Sequence, residues 1–268
     1  MEYCILGSGS GGNATYVAAG NTKVLIDAGI TARQIRVRLA EVGVDAGELD
    51  AVVVTHEHGD HISGLRVSEK QYGVRVHCLA STAQRLDITK PTAPIIPGEE
   101  FTIGDLTFLP FPVPHDVPAV GFHIRNGEAC MGYATDVGIV TTLMEERLRN
   151  VDALVIESNH DVFMLANGPY PAMLKQRISG RGGHLSNAET AKLIGRIRSN
   201  RLQRITLAHL SEENNNKRKA CATVAGALEG WQGELSAAYQ RKPTELFQVA
   251  GGPVVVEEQA HLFETQVG

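Results

Sequence analysis

Short β-branched apolar runs alternate with helical patterns along this 268-residue chain, and that alternation predicts an α/β fold built in layers. Two further observations support the prediction. Polar residues able to do chemistry recur just past the ends of predicted strands, the edge where α/β sheets bind ligands. Thr31-Ala32-Arg33-Gln34 and Ser186-Asn187-Ala188-Glu189 each read as a capping box ahead of an apolar-periodic run. No internal repeat or linker divides the chain, so one domain over 1–268 is expected.

Taken in order, residues 3–19 read as a hairpin turning through Gly7-Ser8-Gly9-Ser10-Gly11-Gly12-Asn13. That loop lacks the Lys-Ser/Thr ending of a nucleotide P-loop, so it serves either phosphate contact through Ser8, Ser10 and Asn13 or a tight turn alone. A strand at 23–26 ends in Asp27, whose carboxylate is placed to bond to a neighbouring loop and hold its shape. A helix to about residue 42 follows, then a buried strand over 49–54. Further on, the pattern predicts a helix over 62–72 and a strand over 74–79. Breakers at Pro91, Pro94, Pro97 and Gly98 make 87–99 a surface connection. Strands follow at 100–103 and 106–111, and a hairpin of 120–125 with 129–133 turns at Asn126-Gly127. Helices are expected over 141–148, 170–178, 186–199 and 215–231, strands over 151–156 and 204–208, and a last hairpin over 247–257. His77 and His123 fall inside strands and read as structural.

The stretch Thr55-His56-Glu57-His58-Gly59-Asp60-His61 holds four potential metal ligands in six residues, directly after an apolar strand. Residues two apart in extended chain point the same way, so His56 and His58 converge, while Gly59 lets the backbone turn Asp60 and His61 toward a second ion. Three more strand ends supply His115, Asp136 and His209. His56, His58 and His115 make one site with an open position; Asp60, His61 and His209 make its neighbour, with Asp136 between them. Two cations ~3.5–4 Å apart hold a shared hydroxide and lower its pKa toward ~7. Imidazole and carboxylate without thiolate suit zinc, or manganese or iron where oxygen is richer.

Composition limits the alternatives. Apolar content of 43% and charged content of 21% are ordinary for a globular chain. No apolar run approaches the ~20 residues of a membrane span, and Met1 to Leu6 reaches glycine too soon for an export signal. Four scattered cysteines without a Cys-x-x-Cys pair indicate reduced thiols, and the expected compartment is the cytoplasm. Net charge is −5, but residues 175–219 hold eleven Lys or Arg against three acids, so this segment carries +8 and the remainder −13. Such asymmetry can guide an anionic substrate to one face, or it is a solvated helical surface.

The His56-x-His58-x-Asp60-His61 signature, with Asp27, His115, Asp136 and His209 in order, resembles the metallo-β-lactamase fold superfamily. That resemblance implies a four-layer αβ/βα sandwich with a dinuclear site at the edge between its halves. Gly7 to Ala14, Glu157-Ser158-Asn159-His160-Asp161, Gly183-His184-Leu185-Ser186-Asn187 and Ala208-His209-Leu210-Ser211 are similar to the WalJ/YycJ-type cytoplasmic branch. Members of that branch are metal-dependent nucleases, described as 5′→3′ exonucleases linked to DNA mismatch repair. The tRNA 3′-end processing enzymes, a related group, pair a strand-end Glu with a later His for proton donation, and Glu157 and His184 hold similar places here. Their long substrate-gripping arm has no counterpart in this chain.

The reading is therefore a phosphodiesterase on nucleic acid, DNA first, with 175–219 as the guiding surface. Asp60, Glu157 and His184 are its catalytic candidates; Ser10, Asn13, Asn159, His160 and Arg181 are the candidates for substrate contact. His160 either supports its loop or sits near the metals. The alternative is a small-molecule hydrolase for a thioester, lactone or cyclic phosphodiester on the same site. A di-iron oxygen- or NO-reducing protein usually has Glu where His58 stands and a flavin partner domain, and neither is present.

Overall fold

Alternation within β1 (Glu2–Gly7) sets the layering: Tyr3 and Ile5 enter one core, Cys4 and Leu6 the core on the other face. The computed structural model describes residues 1–252. β1 is followed by β2 (Ala14–Ala19), β3 (Thr22–Ile26), α1 (Ala32–Glu41), β4 (Ala51–Val53), α2 (Gly59–Ile62), α3 (Leu65–Tyr72), β5 (Arg75–Cys78), α4 (Ala80–Ala83) and β6 (Ala93–Pro94). Next come β7 (Phe101–Ile103), β8 (Leu106–Val113), β9 (Ala119–Asn126), β10 (Ala129–Ala134), α5 (Thr142–Leu148), β11 (Ala153–Glu157), α6 (Val162–Asn167) and α7 (Ala172–Ile178). The last elements are α8 (Asn187–Ile197), β12 (Arg204–Ala208), α9 (Lys217–Ala225), β13 (Glu234–Ala237) and β14 (Phe247–Gln248).

The strands form two seven-stranded sheets, ordered β14-β1-β2-β3-β4-β5-β6 and β13-β12-β11-β10-β9-β8-β7. Val24, Ile26, Phe108, Phe122, Met131 and Val155 fill the core between the sheets. Within that apolar layer the Tyr3 hydroxyl and Thr206 Oγ1 satisfy each other at 2.8 Å, so neither is buried unpaired. On the outer face of the first sheet, Ile35 and Leu39 of α1 and Leu65 of α3 cover Leu25 and Val52. Met144 of α5, Leu193 and Ile194 of α8 and Val224 of α9 cover the second sheet over Leu154, Ile156 and Leu207. Helix, sheet, sheet, helix is the expected αβ/βα sandwich.

Several elements differ from expectation for local reasons. The helix expected over 62–72 starts at Leu65, after the separate short α2; Gly64 between them passes against the backbone after β3, where a Cβ would come within 1.9 Å of the Ile30 carbonyl. The connection over 87–99 contains β6, whose Ala93 is buried and pairs with His77. α6 and β13 were not expected at all. The helix expected over 215–231 ends at Ala225, before Gly226. β14 ends at Gln248 and pairs with β1; residues 249–252 are not strand, and 253–257 of the hairpin expected over 247–257 lie outside the described residues. Among the described residues no helix is long and apolar enough to cross a membrane.

Candidate metal centre

β3 runs parallel to β4, and β10 parallel to β11 and β12, so their C-terminal ends open on one edge. Asp27 follows β3, the His-rich loop follows β4, Asp136 follows β10, Glu157 ends β11 and His209 follows β12. β8 and β10 are both antiparallel to β9, which brings His115 to the same edge. Asp27, Asp136 and His209 take positive φ values of 61°, 58° and 52°, turning sharply where an L side chain pays to do so. Gly29 permits the closest approach: a Cβ there would lie 1.6 Å from the Asp60 carbonyl oxygen.

The predicted ligands meet in two adjoining groups, His56/His58/His115 and Asp60/His61/Asp136/His209. His58 Nδ1 lies 3.1 Å from His56 Nε2 and 3.2 Å from His115 Nε2. In the second group, His61 Nε2 is 3.1 Å from Asp136 Oδ2 and 3.5 Å from Asp60 Oδ2, and His209 Nε2 is also 3.5 Å from Asp60 Oδ2. Asp136 Oδ1 reaches toward the first group, 4.0 Å from His115 Nε2, so its carboxylate spans both.

Each ring is held from behind. The Nδ1 atoms of His61 and His209 face Asp27 Oδ2 at 2.8 Å and Glu157 Oε1 at 2.7 Å. Those of His56 and His115 face Thr55 Oγ1 at 3.0 Å and the Gly183 carbonyl at 3.3 Å. An oxygen at Nδ1 fixes the tautomer that leaves Nε2 free for an ion. His58 is turned the other way, with Nε2 3.2 Å from Asp116 Oδ1. The donor chemistry fits divalent cations: three imidazoles face two imidazoles and two carboxylates, and Asp136 Oδ2 and His209 Nε2 are buried without a hydrogen-bond partner.

Protein charges alone polarise the two halves oppositely. Burial, reinforced by His61, pulls His56 down to about 2, the neutral form in which imidazole ligates. Burial would also lower His209, but Asp136, Asp60 and Glu157 outweigh it and lift it to about 10. His61 is raised in the same way by Asp136 and Asp27. The carboxylates thus hold positive charge where a cation would compete with the protons.

Glu157 is fully buried, which opposes its ionisation, yet His184 and His209 bring it down to about 2. It also accepts from the backbone N–H groups of Asp136, Val137 and Leu185. His184 Nδ1 lies 2.9 Å from Glu157 Oε1, and the His184 ring borders the cavity above the cluster. Burial works against the His184 cation, but Glu157 raises its pKa.

The cavity, about 240 Å³, is lined by both groups and by Ser10 and Asn159 of the predicted contact residues. Asn13, His160 and Arg181 do not line it. Asn13 is buried, its amide 3.0 Å from His61 Nε2 and its oxygen accepting from Gly9 N. His160 is buried and bridges to Ser186 through its backbone. Arg181 is exposed on the loop after α7. His77 stacks on Phe101 and His123 Nδ1 donates to the Arg147 carbonyl, both structural as expected. Sequence reasoning passed over Asp116, whose Oδ1 also lies 3.3 Å from His115 Nε2 and whose Oδ2 accepts from Arg177. Its signal was adjacency to His115 in one strand-end loop.

A four-layer sandwich with a His/Asp cluster on the shared strand edge defines the metallo-β-lactamase class of fold. The chain belongs to the beta-lactamase superfamily: the Beta-lactamase superfamily domain pattern matches residues 22–209. It is 37% identical over 237 residues to the exodeoxyribonuclease WalJ of Streptococcus pneumoniae serotype 2 (strain D39), covering 85% of this chain and 88% of that one. To the exodeoxyribonuclease YycJ of Bacillus anthracis it is 32% identical over 236 residues, covering 85% and 89%. The solved structure of the metallo-beta-lactamase fold protein YhfI from Bacillus subtilis superposes with a TM-score of 0.68 at 16% identity, covering 91% of this chain and all of that one.

Proposed function

We propose that this chain is a metal-dependent exodeoxyribonuclease acting with 5′→3′ polarity. The observation that carries the substrate class is the 37% identity, over most of both chains, to a protein named an exodeoxyribonuclease. His56, His58 and His115 would hold one divalent cation, Asp60, His61 and His209 a second, and Asp136 would be shared. The oxygen in the second group suits manganese or iron as well as zinc. When bound, such a pair polarises a phosphodiester and supplies a nucleophile from water at neutral pH.

The chain's own residues do the rest. His184, kept charged by Glu157, delivers a proton to the leaving oxygen from the cavity wall. Glu157 is a positioning residue, because five donors hold it as a carboxylate. Ser10 and Asn159 border the phosphate path. The whole chain, 1–268, acts as one domain on this reading.

The test is cleavage of end-labelled single- and double-stranded DNA with zinc, with manganese and with chelator. Asp60→Ala should abolish cleavage. His184→Gln should lower kcat roughly 10²–10⁴-fold with metal content unchanged. Activity surviving Asp60→Ala would refute the site. Turnover of a thioester, lactone or cyclic phosphodiester, with DNA untouched, would establish the small-molecule alternative.

A further inference from the structure

The part of the cavity wall that α7 supplies has no part in the chemistry above, and apart from Arg177 it is largely apolar. Leu174 and Ile178, one turn apart on α7, and Tyr170 just ahead of that helix line the same 240 Å³ space as His58, Asp60, His184 and His209. Every one of these three side chains is half-buried, and no residue of α7 is buried at all. An ordinary surface helix spends its apolar stripe on the core. This one leaves the stripe facing the cavity, where no described residue buries it.

The wall stands at a fixed distance from the cluster. Arg177 Nη2 donates to Asp116 Oδ2 at 2.6 Å, and the other Asp116 oxygen lies 3.2 Å from His58 Nε2. At its C-terminal end the Ile178 carbonyl accepts from His184 N at 2.8 Å, tying α7 to the proposed proton donor. The cavity therefore carries the cluster and His184 in fixed relation to the apolar side chains of α7. At about 240 Å³ the cavity is smaller than the roughly 300–1,000 Å³ of pockets that enclose drug-sized ligands.

We propose that Tyr170, Leu174 and Ile178 form the seat for the unpaired nucleobase of the nucleotide being cut, with the Tyr170 ring as its stacking surface. This rests on the nuclease reading above. Every base presents a π face, so such a seat binds without base preference. It also requires the DNA end to be frayed or single-stranded before cleavage.

The test uses the metal-loaded enzyme and single-stranded oligonucleotides whose terminal nucleotide is either normal or abasic. Tyr170→Ala should raise KM roughly 5- to 150-fold on the normal end, the range to which stacking one base on an aromatic ring corresponds. kcat should change much less. Tyr170→Phe, which keeps the ring, should restore KM to within about threefold. The abasic end should cost the wild type a similar factor, and Tyr170→Ala should then add nothing. Equal losses on normal and abasic ends, or failure of Tyr170→Phe to restore KM, would overturn the seat while leaving the nuclease standing. No cleavage of any DNA by the wild type would overturn both.

Discussion

Asp27 shows how much one buried carboxylate decides. Its Oδ1 accepts from Thr55 N at 2.8 Å, fixing the first residue of the His-rich loop, and its Oδ2 faces His61 Nδ1 at 2.8 Å. Asp27→Asn keeps the shape but places an amide N–H₂ against one of these donors. Metal affinity of the second group should fall roughly 10–100-fold, as for other supporting partners of ligating histidines. Competition against a graded zinc chelator measures it, and unchanged affinity would mean that Asp27 only braces the loop. The seven clustered residues were legible because each lies at or just past a predicted strand end, where spacing and topology agree. Asp116 was harder to see, since a lone acid beside a ligand carries no spacing of its own. Tyr170, Leu174 and Ile178 were hidden for the opposite reason: on a sequence, an apolar stripe that lines a cavity looks the same as one that lines a core.

At the level of elements, the two capping boxes were the most informative local signals. Thr31 and Ser186 are the N-caps of α1 and α8, and both boxes close in both directions. At α8 the Ser186 hydroxyl accepts from Glu189 N at 3.2 Å, while Glu189 Oε2 accepts from Ser186 N at 2.9 Å. Ser186→Ala should therefore cost about 1 kcal/mol, within roughly 0.5–2, in urea unfolding. A loss near zero would show that packing of Leu193 and Ile194, not the cap, holds the helix. The elements that sequence patterns missed are short. β6 is two residues long and α6 six, too brief for either period to register. Gly64, between α2 and α3, meets the backbone of Ala28 and Ile30, a contact that no local window contains.

Across the whole molecule, much of the basic charge is paired locally with acids. The eleven basic residues of 175–219 do not form one free surface. Arg177, Arg196, Arg201, Arg204 and Lys219 face Asp116, Glu145, Asp152, Glu234 and Asp161, and Arg177 alone among the eleven lines the cavity. Composition could register the asymmetry but not this pairing. The two sheets are joined at one edge by a stack: His77 of β5 lies on Phe101 of β7 at 5.3 Å, and Phe101 on Phe108 of β8 at 5.2 Å. Burial, with Arg75 adding to it, pulls His77 from its ordinary 6.5 down to about 4. Between those values the unfolded chain binds the proton more readily than the folded one. Stability is therefore independent of this group above about 6.5 and falls as pH drops toward about 4. The prediction is that the urea midpoint of the wild type declines across that window and that His77→Phe, which keeps a ring against Phe101, declines less. The comparison isolates His77, because the histidines of the metal cluster titrate in both proteins. Parallel declines would mean that the edge stack tolerates a charged imidazole and that acid lability arises elsewhere.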